Sequence, residues 1–222
     1  MKDSVPGIDH RFGDPLLLQE ALTHRSLGKV NYERLEFLGD SILNMVVSSL
    51  LFERHPEAQE GDLSRMRARL VRGGSLSDVA AGIGLGKHIN LGEGELKSGG
   101  FRRASILADT LEAVLGAVFL DGGYDAARHV ITGLFDPLID RLPAADELKD
   151  AKTRLQEWLQ ARGRPLPEYV LERDEGADHA KKFYVSCRLP DSGIQVERTG
   201  TSRRKAEQAA AAAALETLCG PA

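Results

Sequence analysis

Thiol clusters, signal-like segments and nucleophile motifs are what this chain is short of, and each shortage removes a class of function. Its 222 residues include two cysteines, Cys187 and Cys219, which share neither a CxxC nor a metal-ligand spacing. A disulfide framework and a thiolate zinc site are thereby excluded, leaving reduced packing residues. The N-terminus, Met-Lys-Asp-Ser-Val-Pro-Gly, carries no apolar segment of the kind a secretory signal needs. No run reads as long and apolar enough to cross a bilayer, so the expectation is a cytoplasmic protein without a membrane partner. No Ser/His/Asp or Cys/His nucleophile system is apparent, and Thr23-His24-Arg25-Ser26 reads as a structural hydrogen-bonding block. Gly73-Gly74 before Ser75-Leu76-Ser77-Asp78 reads as a loop and a capped helix start, not a nucleotide-binding glycine motif, and no small-molecule organic cofactor is expected.

What the chain does have is acid in unusual places. On a helix, Glu33-Arg34-Leu35-Glu36-Phe37-Leu38-Gly39-Asp40-Ser41 stacks Glu33, Glu36 and Asp40 within about 60° of one another, at roughly 100° per residue. Leu35, Leu38, Ile42 and Met45 gather on the opposite face. No Lys or Arg is interleaved in the stripe, and like charges at this spacing are mildly destabilising unless a cation joins them. Taken alone, the stripe is equally well the solvated face of an amphipathic helix. A second segment argues otherwise. Residues 105–120 are apolar nearly all round, which marks a buried helix, yet they carry Asp109 and Glu112 at i, i+3 beside Ser105, Ala113 and Gly116. None of those neighbours neutralises a carboxylate, and burying an unpaired one is costly. A metal shared with the first acidic stripe is the economical partner. Oxygen ligands without a His or Cys cluster suit Mg²⁺, with Mn²⁺ able to substitute, better than zinc. Such an ion makes a bound water more acidic and stabilises a leaving oxygen, so phosphoester hydrolysis is the chemistry inferred.

These residues carry a resemblance. Glu33 to Ser41 resembles the signature of the ribonuclease III family over all nine positions, and Glu60 to Ala68 and Gly94 to Glu112 resemble that family's later blocks. The similarity covers essentially the whole chain. It implies that Glu36, Asp40, Asp109 and Glu112 hold the catalytic metal, with Asp40 and Glu112 the least dispensable. Glu33 and Glu60 match two further acids of the family's cleavage valley, with supporting catalytic roles. Phe37 falls on the carboxylate side of its helix, where a large apolar group would be exposed in a monomer and buried in a homodimer. The resemblance implies that this aromatic inserts into the partner subunit, so that two centres face one groove and each cuts one strand. A twofold dimer also matches the dyad that relates the strands of a duplex.

The net charge of −4 looks wrong for a nucleic-acid enzyme until it is divided. Residues 1–149 carry 17 Lys and Arg against 22 Asp and Glu, whereas residues 150–222 carry 12 against 11. The deficit lies with the acidic cluster, and local basic clustering must supply phosphate attraction. Pattern changes near Pro143 to Asp150, a short polar stretch read as a linker between a unit spanning 1–145 and one spanning 150–219. Before it, helical spacing predicts helices over 15–27, 32–55, 62–72, 75–85, 104–120 and 124–141. After it the order is a helix from Lys152 to Arg162, strands at 168–173, 182–189 and 194–199, and an Ala-rich helix capped by Ser202 and running to Leu218.

That α-β-β-β-α order resembles a double-stranded RNA-binding domain. The resemblance implies that Thr153, Gln156 and Glu157 face a minor groove, and that Gly176-Ala177-Asp178-His179 is the loop entering a second one. Ser202-Arg203-Arg204-Lys205 then meets phosphates at a helix N-terminus. Glu207 departs from the family pattern, which usually has a third basic residue there, and leaves Arg203, Arg204 and Lys205 to share the phosphate contacts. Three basic residues at a helix start oppose the macrodipole, which favours anion binding over an ordinary surface role. The expected fold is therefore α+β, an all-α endonuclease domain followed by an α-β-β-β-α domain. The expected function, by resemblance, is Mg²⁺-dependent cleavage of double-stranded RNA to 5′-phosphate and 3′-hydroxyl ends with short 3′ overhangs, in processing of rRNA precursors and other structured RNAs. The alternatives are a non-catalytic duplex-binding protein on a degenerate nuclease scaffold and a metal-dependent phosphohydrolase of small nucleotides.

Overall fold

The computed structural model describes residues 3–144, 148–177 and 180–220. The chain divides into two compact units, Met1–Pro143 and Ala144–Ala222. The described residues of the first unit form helices α1 (Pro15–Ala21), α2 (Glu33–Arg54), α3 (Glu60–Leu70), α4 (Gly73–Gly82), α5 (Glu93–Lys97) and α6 (Ala104–Ile139). Short 3-10 turns stand at Arg25–Leu27, Leu85–His88 and Gly100–Arg102. The second unit runs α7 (Ala151–Gln160), β1 (Glu168–Glu175), β2 (Lys182–Leu189), β3 (Ile194–Gly200) and α8 (Arg203–Cys219). The expected α+β class and the order of the second unit are both observed.

The first unit is organised around the pair α2 and α6. From α2, Leu43, Val46, Val47 and Leu51 are fully buried; from α6, Leu111, Ala113, Val114, Leu115, Ala117 and Val118. Each large aliphatic side chain removed from water contributes about 1.5–3 kcal/mol, so this seam is the main stabilising contact of the unit. By length and composition alone α2 would pass for a membrane span, contrary to the sequence expectation that no run reaches that threshold. Its apolar face is spent on α6, as in the core helix of a globular unit. Met45 is another correction: it does not join Leu35 and Ile42 in the core but stands exposed, as do Phe37 and Phe52 on the same helix.

Element ends show where local chemistry overrode periodicity. The first helix stops at Ala21, short of the expected 27, because the His24 ring accepts the Ser26 N–H and starts a separate 3-10 turn. The helix α4 begins at Gly73 with Arg72 before it, so Gly73-Gly74 is not the expected loop and Ser75 is not its cap. Within α6 the break expected between 120 and 124 falls at Gly123, whose φ of 76° is one a side chain would strain. Beside that kink, the Asp121 carboxylate accepts the N–H groups of Gly13 and Asp14 and lies 2.7 Å from His10, tying the N-terminal segment to α6.

In the second unit the three strands pair antiparallel in the order β1-β2-β3, with an irregularity between Leu171 and Arg173. Leu155 and Leu159 of α7 pack with Cys187 and Leu189 of β2 and with Ala210, Ala211 and Ala214 of α8. The alanines let α8 lie close on the sheet, as their run in the sequence implied. Cys187 is a buried free thiol and Cys219 an exposed one.

Candidate functional site

The carboxylates meet where α2 crosses α6, and two glycines make the crossing possible. A Cβ built at Gly39 would fall on the Glu112 backbone carbonyl, and one built at Gly116 on the carbonyl of Leu35. Only glycine lets the backbones approach so closely. Gly39 lies between Glu36 and Asp40, and Gly116 one turn after Glu112, so the contact that joins the helices also turns their acids toward each other. An isolated glycine in a strong helical pattern costs ~1 kcal/mol against alanine and signals such an approach. The signal at Gly39 was there to be read.

Ligand atoms of Glu36, Asp109 and Glu112 all lie within 4.8 Å of one another, each side chain half-buried. The electrostatics follow from that geometry. Burial first, then the charges of Asp40, Glu36 and Asp109, push the Glu112 carboxyl up to about 8. Burial and the neighbouring Asp109 and Glu33 raise Glu36, and burial raises Asp109. Acids held this close and partly desolvated form a site that a divalent ion with oxygen ligands would relieve. The donor set fits a hard cation.

The remaining acids are arranged differently from the expectation. Asp40 is the leading charge acting on Glu112, and its exposed carboxylate accepts the Asn44 side-chain N–H at 2.8 Å. It is not among the three clustered ligands. Glu33 lies 3.4 Å from the guanidinium of Arg25, which reaches the stripe from the preceding turn. Sequence spacing within α2 showed no cation there because Arg25 arrives from another element. Glu60 opens α3, where it accepts the Ser64 hydroxyl at 2.8 Å and lines a separate cleft with Ser48, Phe52 and Arg67. Phe37 is 79% exposed, as its position on the carboxylate side of α2 requires.

Beside the cluster opens a cleft of about 460 Å³ whose walls include Glu36, Asp109, Glu33, Arg25, Tyr32 and His24. Glu95 and Arg103, paired at 3.1 Å, complete it. Tyr32, Glu95 and Arg103 were not anticipated. Their positions depend on chain reversals that bring the segment before α2 and the α5 region to the start of α6, which no periodicity encodes.

In the second unit Ser202 caps α8 as expected, accepting the Lys205 N–H at 3.2 Å. Arg203, Arg204 and Lys205 are exposed in the first turn. Arg203 is not a free cation: its Nε donates to Glu207 at 2.9 Å, and Lys152 donates to the other oxygen of the same carboxylate at 2.7 Å. The Lys152 contact, with Arg203 behind it, holds the Glu207 carboxyl below its ordinary range. On α7, the Thr153 N–H donates to Asp150 at 2.9 Å, while Gln156 and Glu157 are exposed and Glu157 accepts Lys149 Nζ at 2.6 Å. His179 and Asp178 lie outside the described residues.

Comparison with known proteins bears on both units. A family model described as ribonuclease-III-like matches residues 14–138, and one for the double-stranded RNA binding motif matches residues 151–218. Ribonuclease 3 of Bordetella pertussis is 55% identical over 209 residues, 94% of this chain and 82% of that protein. Ribonuclease 3 of Aromatoleum aromaticum is 53% identical over 214 residues, 96% and 95% of the two chains. Among solved structures, the nuclease domain of ribonuclease III from Campylobacter jejuni is 41% identical, with a TM-score of 0.57. It covers 59% of this chain and 92% of its own, and a region of it is described as involved in dimer formation.

Proposed function

The chain belongs to the ribonuclease III family and is an endoribonuclease of double-stranded RNA, and we propose that it works as a magnesium-dependent homodimer in the cytoplasm. The observation that carries the metal is the trio Glu36, Asp109 and Glu112, whose mutual repulsion at the α2–α6 crossing a divalent cation relieves. Asp40, the leading charge on Glu112, would complete the set by giving up its bond from Asn44. When bound, the ion supplies a more acidic water and charge stabilisation of the leaving oxygen. The chain's own residues do the rest. Glu36, Asp40, Asp109 and Glu112 would hold the ion, whose place at the crossing sets where a phosphate can bind, and Glu33 is paired with Arg25. Glu60 would support cleavage from its own cleft, which it lines with Ser48 and Arg67. Products would carry 5′-phosphate and 3′-hydroxyl ends with short 3′ overhangs, and the cellular role would be processing of rRNA precursors and other structured RNAs.

Residues 1–145 carry the chemistry in this reading and residues 150–219 hold the duplex. Thr153, Gln156, Glu157 and His179 would address minor grooves and Ser202, Arg203, Arg204 and Lys205 the phosphates, Arg203 exchanging its pairing with Glu207 for RNA. The exposed stripe of Phe37, Met45 and Phe52 on α2 supports a twofold interface, since a monomer leaves these side chains in water. The test is a labelled RNA duplex and its separated strands incubated with the protein, with and without Mg²⁺. Metal-dependent cutting of the duplex alone, with 3′ overhangs on mapping, is expected; metal-independent or single-strand cutting would contradict the proposal.

A further inference from the structure

We propose that Tyr32 is a positioning residue for Asp109, its buried hydroxyl holding that carboxylate in the orientation the metal centre needs. This rests on the assignment of Asp109 to the centre. Tyr32 is 3% exposed and stands immediately before α2. Its backbone N–H donates to the Thr23 carbonyl at 2.9 Å, and its carbonyl accepts the N–H of Glu36 at 2.8 Å. Its hydroxyl donates to Asp109 Oδ2 at 3.5 Å. A single residue thus sets the turn that presents Glu36 from one helix and contacts the acid presented by the other. No other side-chain hydrogen bond to Asp109 is found among the described residues.

The ring that supports Tyr32 is itself fixed. His24 meets it edge-on, with centroids 5.5 Å apart. The Ser26 N–H donates to His24 Nδ1 at 3.1 Å. The Ser26 hydroxyl, already accepting the Gly92 N–H at 2.8 Å, directs its own hydrogen to the same nitrogen at 2.8 Å. With both donors on Nδ1, the imidazole hydrogen resides on Nε2. A phenol carries its hydrogen at neutral pH, so the Tyr32 hydroxyl is a donor to the carboxylate it faces. Partners that orient a metal-ligating carboxylate typically contribute 10–100-fold to metal affinity or activity.

Tyr32→Phe removes the hydroxyl and leaves the packed ring, so the fold is retained. Calorimetric titration of the full chain with Mn²⁺ should show affinity reduced about tenfold. The Mg²⁺ concentration for half-maximal duplex cleavage should rise in parallel, while kcat at saturating Mg²⁺ and thermal stability in EDTA stay close to wild type. That split separates positioning from a merely structural role. Unchanged Mn²⁺ affinity, or lost kcat with unchanged affinity, would overturn the proposal. Asp109→Asn is titrated alongside. If it binds Mn²⁺ as wild type does, the assignment of Asp109 fails and the proposal with it; if it loses Mn²⁺ while Tyr32→Phe binds normally, the role of Tyr32 alone is refuted.

Discussion

Glu112→Gln should stabilise the metal-free protein at neutral pH, an unusual outcome for a substitution at a chemically essential position. The Glu112 carboxyl is pushed from an ordinary 4.5 to about 8, by burial first and then by Asp40, Glu36 and Asp109. A group whose folded value lies above its unfolded one costs nothing below about pH 4.5, and the cost grows as pH rises toward 8. Each factor of ten in proton affinity is worth about 1.4 kcal/mol, so the penalty at pH 7.5 has a ceiling of about 4 kcal/mol. Glu112 is only half-buried, and solvent screening reduces this to roughly 2 kcal/mol. An uncharged isostere escapes the penalty. At a few degrees per kcal/mol for a chain of this size, Tm in EDTA should rise on the order of 5 °C at pH 7.5. The difference should shrink toward zero as pH falls to about 5 and below, where the carboxyl of the unfolded chain takes up its proton as well. Scanning calorimetry of both proteins at the two pH values is the assay. A lower Tm for the variant at pH 7.5, or a difference that does not change with pH, would refute the electrostatic account of the cluster.

Replacing Arg203, Arg204 and Lys205 together with Ala should weaken duplex binding across sequences and flatten its salt dependence, by up to about one unit of log-log slope per lost phosphate contact; an unchanged slope in a filter-binding titration would locate RNA elsewhere. The Arg203–Glu207 pair implies that the full loss will fall short of three such contacts. Phe37→Glu should convert the dimer to monomer, since an interface anchor commonly contributes ~2 kcal/mol or more and a buried carboxylate adds a desolvation cost. Sedimentation of a fully dimeric variant would show that the ring is not at the interface. Gly39→Ala should destabilise by about 1–3 kcal/mol despite alanine's better helix propensity, because its methyl meets the Glu112 backbone and forces α2 from α6. A urea midpoint at or above wild type would mean the crossing is looser than described.

Local physics made much of this protein legible from its residues. The run around Glu36 and the acid-bearing apolar run around Glu112 each announced a helix with a misplaced charge, and the strand order of the second unit followed from β-branched and aromatic alternation. What escaped were features created by tertiary contact. Arg25 approaches Glu33 from a turn, so no spacing within α2 reveals the pair. Asp40 has a local competitor in Asn44 one turn on, which periodicity ignores. Met45 sits at the margin of the apolar face, where an angle of some tens of degrees decides between core and solvent. Tyr32 and His24 owe their place beside Asp109 to a turn held by Ser26 and Gly92, residues 66 positions apart.

The most direct test of the central claim, that the carboxylates gathered at the α2–α6 crossing drive metal-dependent cutting of duplex RNA, is single-turnover cleavage by Glu112→Gln. Duplex affinity is measured on the same preparation. Cleavage at low Mg²⁺ should be abolished while binding stays within about twofold of wild type, because the substitution leaves the basic surface of α8 untouched. Near-wild-type turnover by the folded variant at low Mg²⁺ would contradict the account.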